Sequence, residues 1–388
     1  MLTDHLGYRS PSRRERAKYA YQRAMLALKN GRNRELPPCI PAAVISREPL
    51  VSYSGIVPGA PLGVASLVSK PAGFPAAWFL LSPTWSLEAD GAAKMVRHSA
   101  ILHRRSIPQH KLIFMCNSRT ETALMHELGE PAFFHNKTSS VPEWIFKPLD
   151  TVAVKYDAVY NAQLAHWKRH ELSLGIGSCA FIYYRGAVNS STVEAEQALL
   201  ARHASLAPGH VFINKIDKDR EPIRLRPQEV NYHLNEAAVG LCLSGEEGAM
   251  FASTEYLLAG LPVVSTRSRG GRDLYYDKEY CIIVPPDPRS VAEAVAALKA
   301  KEIPRNYIRR KTLESLQRER NRFLDLLNAI FEESGCEHRL AEPWPFERQV
   351  IMDWLDPAVA IGRVLSGTVD AFCDIEAGEP ADQTPGNR

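Results

Sequence analysis

One segment of the chain, residues 244–266 (SGEEGAMFASTEYLLAGLPVVST), restricts its possible folds more than any other. It follows an apolar run, VGLCLS, that is typical of a buried strand, and it contains a helical stretch that ends at Gly260 with Pro262 behind it. The apolar run VVST then predicts a second strand. Two parallel strands joined through a helix form a right-handed βαβ unit. The segment therefore predicts a parallel sheet covered by helices.

The same alternation of apolar runs and helical stretches recurs along the 388-residue chain, a length that suits two domains. In the second half it predicts a doubly wound domain, with WKRHELSLG (167–175) among its helices. In the first half it predicts a parallel sheet of four or five strands. The predicted fold class is α/β, with two Rossmann-like doubly wound domains facing a cleft and an N-terminal amphipathic helix.

Changes in composition divide the chain into five predicted parts. They are a basic N-terminal helix or arm (1–36), a short Rossmann-like first domain (37–150), a Rossmann-like second domain (151–335), a C-terminal helical segment (336–374) and a disordered tail rich in Gly, Pro and acidic residues (375–388).

Charge and apolar content indicate where the protein works. The net charge is only +3, but residues 1–36 carry nine basic and three acidic side chains. This region either packs on a domain with solvated arginines or contacts anionic lipid or an acidic partner. The basic residues belong to one predicted helix and match no RNA-binding motif, so we expect no nucleic acid. Without an apolar run of about 18 residues or a C-x-x-C motif, we expect a cytoplasmic protein, with contact at the inner face of the membrane left open.

The segment 244–266 also carries the strongest candidates for a binding site, because ligands of doubly wound sheets bind beyond the carboxyl ends of the strands. Glu247 and Glu255 are eight residues apart, about 12 Å along a helix, which suits the two ends of one extended ligand. Gly248, Ala249 and Met250 lie where backbone amides at a helix start would bind a phosphate.

The pattern E-G-x6-E-x4-G-x-P-V-V resembles the E-x7-E signature of the family 4 glycosyltransferases, the group 1 enzymes of the GT-B type. The similarity extends over about residues 111–300. It implies transfer of a hexose from a nucleoside diphosphate sugar to the hydroxyl of a glycan, lipid-linked or small-molecule acceptor, with retention of configuration and in cell-surface polysaccharide or glycoconjugate synthesis. It implies no cofactor or metal, an acceptor domain over 37–150 and a donor domain over 151–335. Glu255 would bind the ribose and Glu247 the transferred sugar.

The resemblance also assigns the groups that would hold the donor diphosphate. Lys168 falls on the lysine of the family, whereas Gln163 stands where the family has arginine and Arg169 follows directly. A leaving diphosphate needs fixed cations or amides, so Lys168 is, with Glu247, a predicted catalytic residue. Gly270 and Gly271, with arginines around them, either add amides at the donor or form a flexible turn. Asp273 is predicted to cap a helix.

The acceptor side is less well defined by the sequence. His103, His135 and Asn136 are the candidates, although structural roles explain each of them as well. The Asp217-Lys218-Asp219 motif lies in a charged loop, and the histidines lack metal-ligand spacing, so no metal site is expected. Because of Gln163 and the absence of a Gly-rich N-terminal loop, a catalytically weak or inactive GT-B module that binds a nucleotide-sugar or glycan in an assembly remains the alternative.

Overall fold

The computed structural model describes residues 36–68, 76–89, 91–184, 193–217, 222–341, 343–346 and 351–370. The predicted N-terminal helix and the predicted disordered tail therefore lie outside the described residues. Within them the chain forms two six-stranded sheets with helices packed on them. The predicted α/β class with two Rossmann-like domains is confirmed.

The first sheet contains strands from both ends of the described chain. They are β1 (Ile40–Arg47), β2 (Leu50–Ile56), β4 (Ala77–Pro83), β5 (His110–Cys116), β6 (Ala132–Phe134) and β13 (Asp353–Leu355), in the order β13-β1-β2-β4-β5-β6. A short strand β3 (Pro61–Val64) lies beside β2. From β2 to β6 the sheet is parallel.

The prediction of a wholly parallel first sheet is wrong at one edge. Strand β1 runs antiparallel to both β2 and β13. Only two residues separate Arg47 from Leu50, and a parallel pair needs a crossover of a dozen residues or more. A link this short permits only a hairpin.

One face of the first sheet is covered by α1 (Ala92–Ser106), α2 (Arg119–Glu127) and α8 (Pro357–Ser366). The hydroxyl of Ser118 caps α2 by accepting from the amide of Glu121 at 3.0 Å. Helix α8 buries Ala360 and Val364 in the core formed with β1 and β4. The C-terminal segment, predicted to be only helical, thus supplies both an edge strand and a covering helix.

The second sheet is parallel throughout. Its strands are β7 (Tyr156–Asn161), β8 (Cys179–Ile182), β9 (His210–Phe212), β10 (Ala237–Cys242), β11 (Val263–Thr266) and β12 (Cys281–Val284), in the order β12-β11-β10-β7-β8-β9. Its helices are α3 (Val193–Leu206), α4 (Pro227–Asn235), α5 (Phe251–Leu258) and α6 (Pro288–Ala300). The strand order reverses between β7 and β10, so a crevice opens beyond the carboxyl ends of these two strands.

The stretch 167–175 is not the predicted helix. It forms two 3-10 turns, His166–Lys168 and His170–Ser173, separated by Arg169 at a φ of 52°. A left-handed residue costs about 1–2 kcal/mol. Two hydrogen bonds offset this cost, because the Arg169 guanidinium donates to the Leu243 carbonyl at 2.6 Å and to the Thr266 hydroxyl at 2.7 Å. They tie the turn to the ends of β10 and β11.

A long helix, α7 (Arg305–Glu333), joins the two halves. Ile308 and Leu316 pack in the core of the second sheet, whereas Phe323 and Leu327 pack against the first. Among the described residues no helix is both long and apolar enough to span a membrane.

Candidate active site

A cavity of about 530 Å³ lies at the carboxyl ends of β7, β8 and β10. Five of the residues singled out in the sequence line it: Lys168, Glu247, Ala249, Met250 and Glu255. Asn161, Tyr184 and Arg224, which were not predicted as site residues, line it as well. The switch point of the sheet is therefore where the predicted residues converge.

The two predicted catalytic residues form an ion pair in this cavity. The Lys168 ammonium lies 2.5 Å from Glu247 Oε1, and the two side chains are only 12% and 7% exposed. The hydroxyl of Ser244 donates to the same carboxylate oxygen at 2.5 Å. Charge-assisted hydrogen bonds are strong in a largely buried site, so these two bonds hold the Glu247 carboxylate in one orientation.

Arg272 holds Ser244 in place beside the Lys168–Glu247 ion pair. Its buried guanidinium donates to the Ser244 carbonyl at 2.7 Å and to the Ser244 hydroxyl at 2.8 Å, and also to the Thr266 carbonyl. Ser244 therefore links Arg272 to Glu247. The sequence suggested only that this arginine adds charge near the donor, because its partners are 6 and 28 residues away.

Glu255 lies in the second turn of α5 and is 4% exposed. The Asn161 amide donates to its Oε2 at 3.0 Å, and the Asn161 backbone N–H donates to the Tyr256 hydroxyl at 2.6 Å. Helix α5 is thereby fixed to the end of β7. Glu247 and Glu255 reach one cavity from different parts of the loop and helix, and their assignment to sugar and ribose stays a prediction.

The glycines of the predicted site lie where the two domains meet. A Cβ at Gly248 would lie 2.4 Å from the Thr84 carbonyl oxygen, and one at Gly271 would lie 1.8 Å from that of Asn117. Gly270, at a φ of 88°, packs on the backbone of Glu247. These positions need glycine for close backbone contact; a role of their amides at the donor stays a prediction.

Asn136, an acceptor-side candidate, connects the domains directly. Its amide donates to the carbonyls of Asn117 (2.8 Å) and Gly271 (2.6 Å), and its Oδ1 accepts from the backbone N–H of Thr138 at 3.0 Å. With donors and acceptor engaged, Asn136 holds the glycine loop of the second domain against the first.

Lys137, the next residue, was not singled out in the sequence. Its ammonium donates to the Pro83 carbonyl at 2.8 Å. Burial lowers the pKa of Lys137 to about 8, against the opposing effect of the carboxylates of Glu121 and Glu247. A cation of the first domain thus acts electrostatically on the predicted catalytic carboxylate.

The remaining candidates do not border the cavity. His135 stacks on Phe323 at 4.3 Å, and burial lowers its pKa to about 3. His103 Nε2 lies 2.8 Å from His110 Nδ1. The carbonyl of Gln163 accepts from the Ala165 amide at 2.9 Å. The acceptor-side or donor-side roles of these residues stay predictions.

Two further expectations concern loops. Asp273 does not cap a helix: its carbonyl accepts from the Tyr276 amide at 3.0 Å in a turn. Lys218 and Asp219 lie outside the described residues. Within the described part of the chain, no group of three or more His, Cys, Asp or Glu side chains is arranged to hold a metal ion, and metal independence stays a prediction.

Comparison with known families identifies this domain. The family model described as glycosyl transferases group 1 matches residues 194–301, which include β10, α5 and both candidate glutamates. Residues 194–301 of the second domain thus match the group 1 glycosyltransferases. No protein of curated function matches the chain in sequence.

Solved structures of glycosyltransferases share the fold at low sequence identity. S. aureus TarM, a point mutant in complex with fondaparinux, alpha-GlcNAc-glycerol and UDP, is 13% identical with a TM-score of 0.50; the match covers 70% of this chain and 54% of TarM. The C-terminal domain of the Francisella tularensis group 1 protein LpcC is 15% identical over 46% of this chain and 96% of that domain, with a TM-score of 0.36. The chain thus spans about half the length of TarM, and its two-domain architecture is the GT-B fold.

Proposed function

We propose that the protein transfers a hexose from a nucleoside diphosphate sugar to a hydroxyl of its acceptor, with retention of configuration, in polysaccharide or glycoconjugate synthesis. One observation carries the proposal: the Lys168–Glu247 ion pair lies in the same cavity as Glu255 and the first residues of α5. The cavity therefore offers a cation and two carboxylates to a ligand that has a diphosphate between two hydroxyl-bearing rings.

In the proposed reaction the bond between the sugar C1 and the diphosphate oxygen breaks, and a bond from the acceptor oxygen to C1 forms on the same face. The acceptor proton passes to the departing phosphate oxygen, and the nucleoside diphosphate leaves. Lys168 neutralises the charge that develops on that oxygen. Glu247 accepts hydrogen bonds from the sugar hydroxyls, and Glu255 accepts them from the ribose.

The ion pair has a consequence for donor binding. Before the donor binds, the Lys168 ammonium and the Glu247 carboxylate are paired with each other at 2.5 Å. A diphosphate would attract the ammonium, and the sugar hydroxyls would take its place on Glu247. A partly buried charge that loses its partner without replacement is costly, so the pair favours ligands that supply both an anion and hydroxyl groups.

One observation favours the second candidate, a weakly active or inactive module that binds nucleotide-sugar or glycan. Gln163 is uncharged, and the Arg169 guanidinium is engaged by Leu243 and Thr266. Among the described residues that line the cavity, the basic ones are Lys168 and Arg224. If Lys168 alone neutralised the diphosphate, where the family has an arginine and a lysine, we expect the loss of the arginine to lower the catalytic rate more than the donor affinity.

Nucleotide binding and donor hydrolysis separate the two candidates. For the enzyme and for a module that binds nucleotide-sugar, we expect UDP, GDP or ADP to raise the melting temperature of wild type, because a ligand of the folded state stabilises it. Glu255→Ala should lose this shift, whereas Glu293→Ala, at an exposed position of α6, should retain it. Hydrolysis of a UDP-, GDP- or ADP-sugar by wild type and not by Lys168→Ala supports the enzyme. A nucleotide shift without any turnover supports a module that binds nucleotide-sugar. No shift in wild type refutes the enzyme and leaves only a module that binds glycan.

The cellular setting belongs to the same proposal. We place the reaction in the cytoplasm, with the basic residues 1–36 as the region that would contact the inner face of a membrane. Sedimentation of the full chain with vesicles containing anionic lipid tests this, and binding that does not weaken with added salt would contradict an electrostatic contact.

A further inference from the structure

Two tryptophans from different domains meet at the mouth of the cleft. Trp85 follows β4 of the first sheet and remains 43% exposed. Trp167 belongs to the turn of the second domain that carries Lys168 and is half-buried. The ring centroids are 6.2 Å apart with an interplanar angle of 89°. Two adjoining tryptophans that stay partly exposed beside a cleft form an apolar patch of the kind found at binding surfaces.

Two charged groups complete the patch. The Trp85 indole N–H donates to Glu246 Oε1, and Arg269 Nε lies 3.5 Å from Glu246 Oε2. Arg269 also donates to the Glu88 carbonyl at 3.4 Å. We refer to Trp85, Trp167, Glu246 and Arg269 as the tryptophan platform.

The platform adjoins the predicted reaction centre but lies outside the cavity. Trp167 directly precedes Lys168, and Glu246 directly precedes Glu247. A Cβ at Gly248 would lie 3.0 Å from the Trp85 Cα, so the loops touch. Lys168 and Glu247 line the cavity, whereas the platform residues do not. The platform therefore adjoins the residues of the ion pair and lies outside the cavity of the proposed donor site.

The chemistry of the platform suits a sugar ring. The C–H face of a pyranose packs on an indole face, and the hydroxyl groups on its edge both donate and accept hydrogen bonds. Glu246 supplies acceptor oxygens and Arg269 supplies donors. Their charges cancel, which favours an uncharged polyhydroxyl ligand over a phosphate or polyanion. An aliphatic chain would cover the Glu246–Arg269 pair without offering either group a hydrogen bond.

We propose that the tryptophan platform binds a sugar ring of the acceptor, so that the acceptor of the reaction is a saccharide. The assignment of a saccharide site depends only on the platform residues, whereas its identification as the acceptor site rests on the proposed function. A ring bound there lies next to the residues of the Lys168–Glu247 pair, which line the cavity proposed for the donor.

Binding of simple saccharides by the full chain tests the assignment. The probes are the methyl glycosides of glucose, galactose, mannose and N-acetylglucosamine, followed by saturation-transfer NMR and tryptophan fluorescence. We expect at least one to bind wild type and Trp85→Ala to weaken that binding by about tenfold or more. Trp85→Phe should recover part of it. Trp354→Ala, which removes a 64% exposed tryptophan of β13, should leave it unchanged.

The outcomes separate this inference from the proposed function. Trp85→Ala should retain the wild-type nucleotide-induced melting shift, which also shows that it folds. If none of the four glycosides binds wild type, or if Trp85→Ala binds them equally, the platform is not a saccharide site. If glycosides bind in a Trp85-dependent manner but no donor is turned over, the saccharide site stands and the transferase proposal fails.

Discussion

At the scale of single residues, the contacts of Ser244 determine how Glu247 is held. Its hydroxyl donates to Glu247 Oε1 and accepts from Arg272. We expect Ser244→Ala to cost about 1 kcal/mol of folding stability and to lower kcat by roughly tenfold, because Glu247 keeps Lys168 as partner but loses its fixed orientation. The affinity for nucleoside diphosphate should stay unchanged.

The neighbouring Ser265→Ala is the matched control for this prediction. The Ser265 hydroxyl is also buried at the end of a strand, but it donates to the Thr266 carbonyl at 3.0 Å. Donor-hydrolysis kinetics and urea unfolding of both variants make the comparison. Equal effects on kcat would mean that Ser244 acts only through stability.

Lys137 leads to a prediction about pH. Its pKa is lowered to about 8 by burial, so its ammonium loses the proton as the pH rises through that value. If the cation assists the reaction, wild-type donor hydrolysis falls above pH 8. Lys137→Arg, which stays charged, should keep its rate up to pH 9. Lys137→Met should be slower by about tenfold at pH 7.

Lys111 provides the control. It is exposed and lies at the amino end of β5, so Lys111→Met removes a lysine charge from the same domain at the end of the strand away from the cleft. A Lys137→Met variant with the wild-type rate and the wild-type pH profile would exclude a part for Lys137 in the reaction.

The residues that the sequence could predict and those it could not differ in how their partners are arranged along the chain. Glu247 and Glu255 belong to one local loop and helix, and the family pattern includes both. Lys168 was found through the resemblance alone. Asn136, by contrast, bonds to Gly271, 135 residues away, and Trp85 to Glu246, 161 residues away. Contacts of this kind form only when two domains meet, so no local pattern predicts them.

At the scale of elements, the glycine loop that follows β11 is in close contact with the first domain. Gly271→Ala would place a methyl group 1.8 Å from the Asn117 carbonyl oxygen and 2.4 Å from the Asn136 amide. Both neighbours are themselves fixed, so we expect a loss of about 3 kcal/mol or a separation of the domains. Thermal unfolding and small-angle X-ray scattering measure the two effects.

Gly245→Ala tests whether this effect is specific to the interface. A Cβ at Gly245 would be 3.6 Å from the Arg169 guanidinium, an ordinary contact. We expect it to be tolerated. Similar melting temperatures for the two variants would show that the domain contact is looser than the structure describes.

The predictability of the elements follows the same division. The second sheet could be predicted because each strand is an apolar run followed by a helical crossover. The antiparallel direction of β1 is set by the two-residue link to β2. Strand β13 pairs with β1, which is more than 300 residues away along the chain. The stretch 167–175 has helical composition, but Arg169 finds its hydrogen bonds at β10 and β11. Tertiary contacts overrode the local preference.

At the scale of the whole molecule, both domains bury histidines that are kept neutral. Burial lowers the pKa of His110 and His203 to about 4 and that of His135 and His170 to about 3. Each domain contributes one pair of ring-to-ring neighbours, since His103 lies 2.8 Å from His110 and His203 lies 2.9 Å from His210. In the unfolded chain a histidine titrates near pH 6.5. Unfolding below this pH therefore takes up protons.

The sign of the pH dependence follows from this difference. Because the folded-state pKa values are lowered, stability is complete above pH 6.5 and is lost as the pH falls from 6.5 towards 4, by at most about 1.4 kcal/mol per pH unit for each histidine.

Both ring nitrogens of the buried His135 lack a hydrogen-bond partner among the described residues, so His135→Phe should keep its stacking on Phe323 and remove one proton from the uptake. Urea unfolding at pH 7.5 and at pH 5.5 should then give a smaller loss of stability for His135→Phe than for wild type, whereas His338→Phe, at an exposed position, should match wild type. Donor turnover at pH 7.5 by His135→Phe decides at the same time whether this histidine is an acceptor-side residue: a rate close to wild type assigns it to the core, and a loss of transfer without a loss of stability would return it to the site.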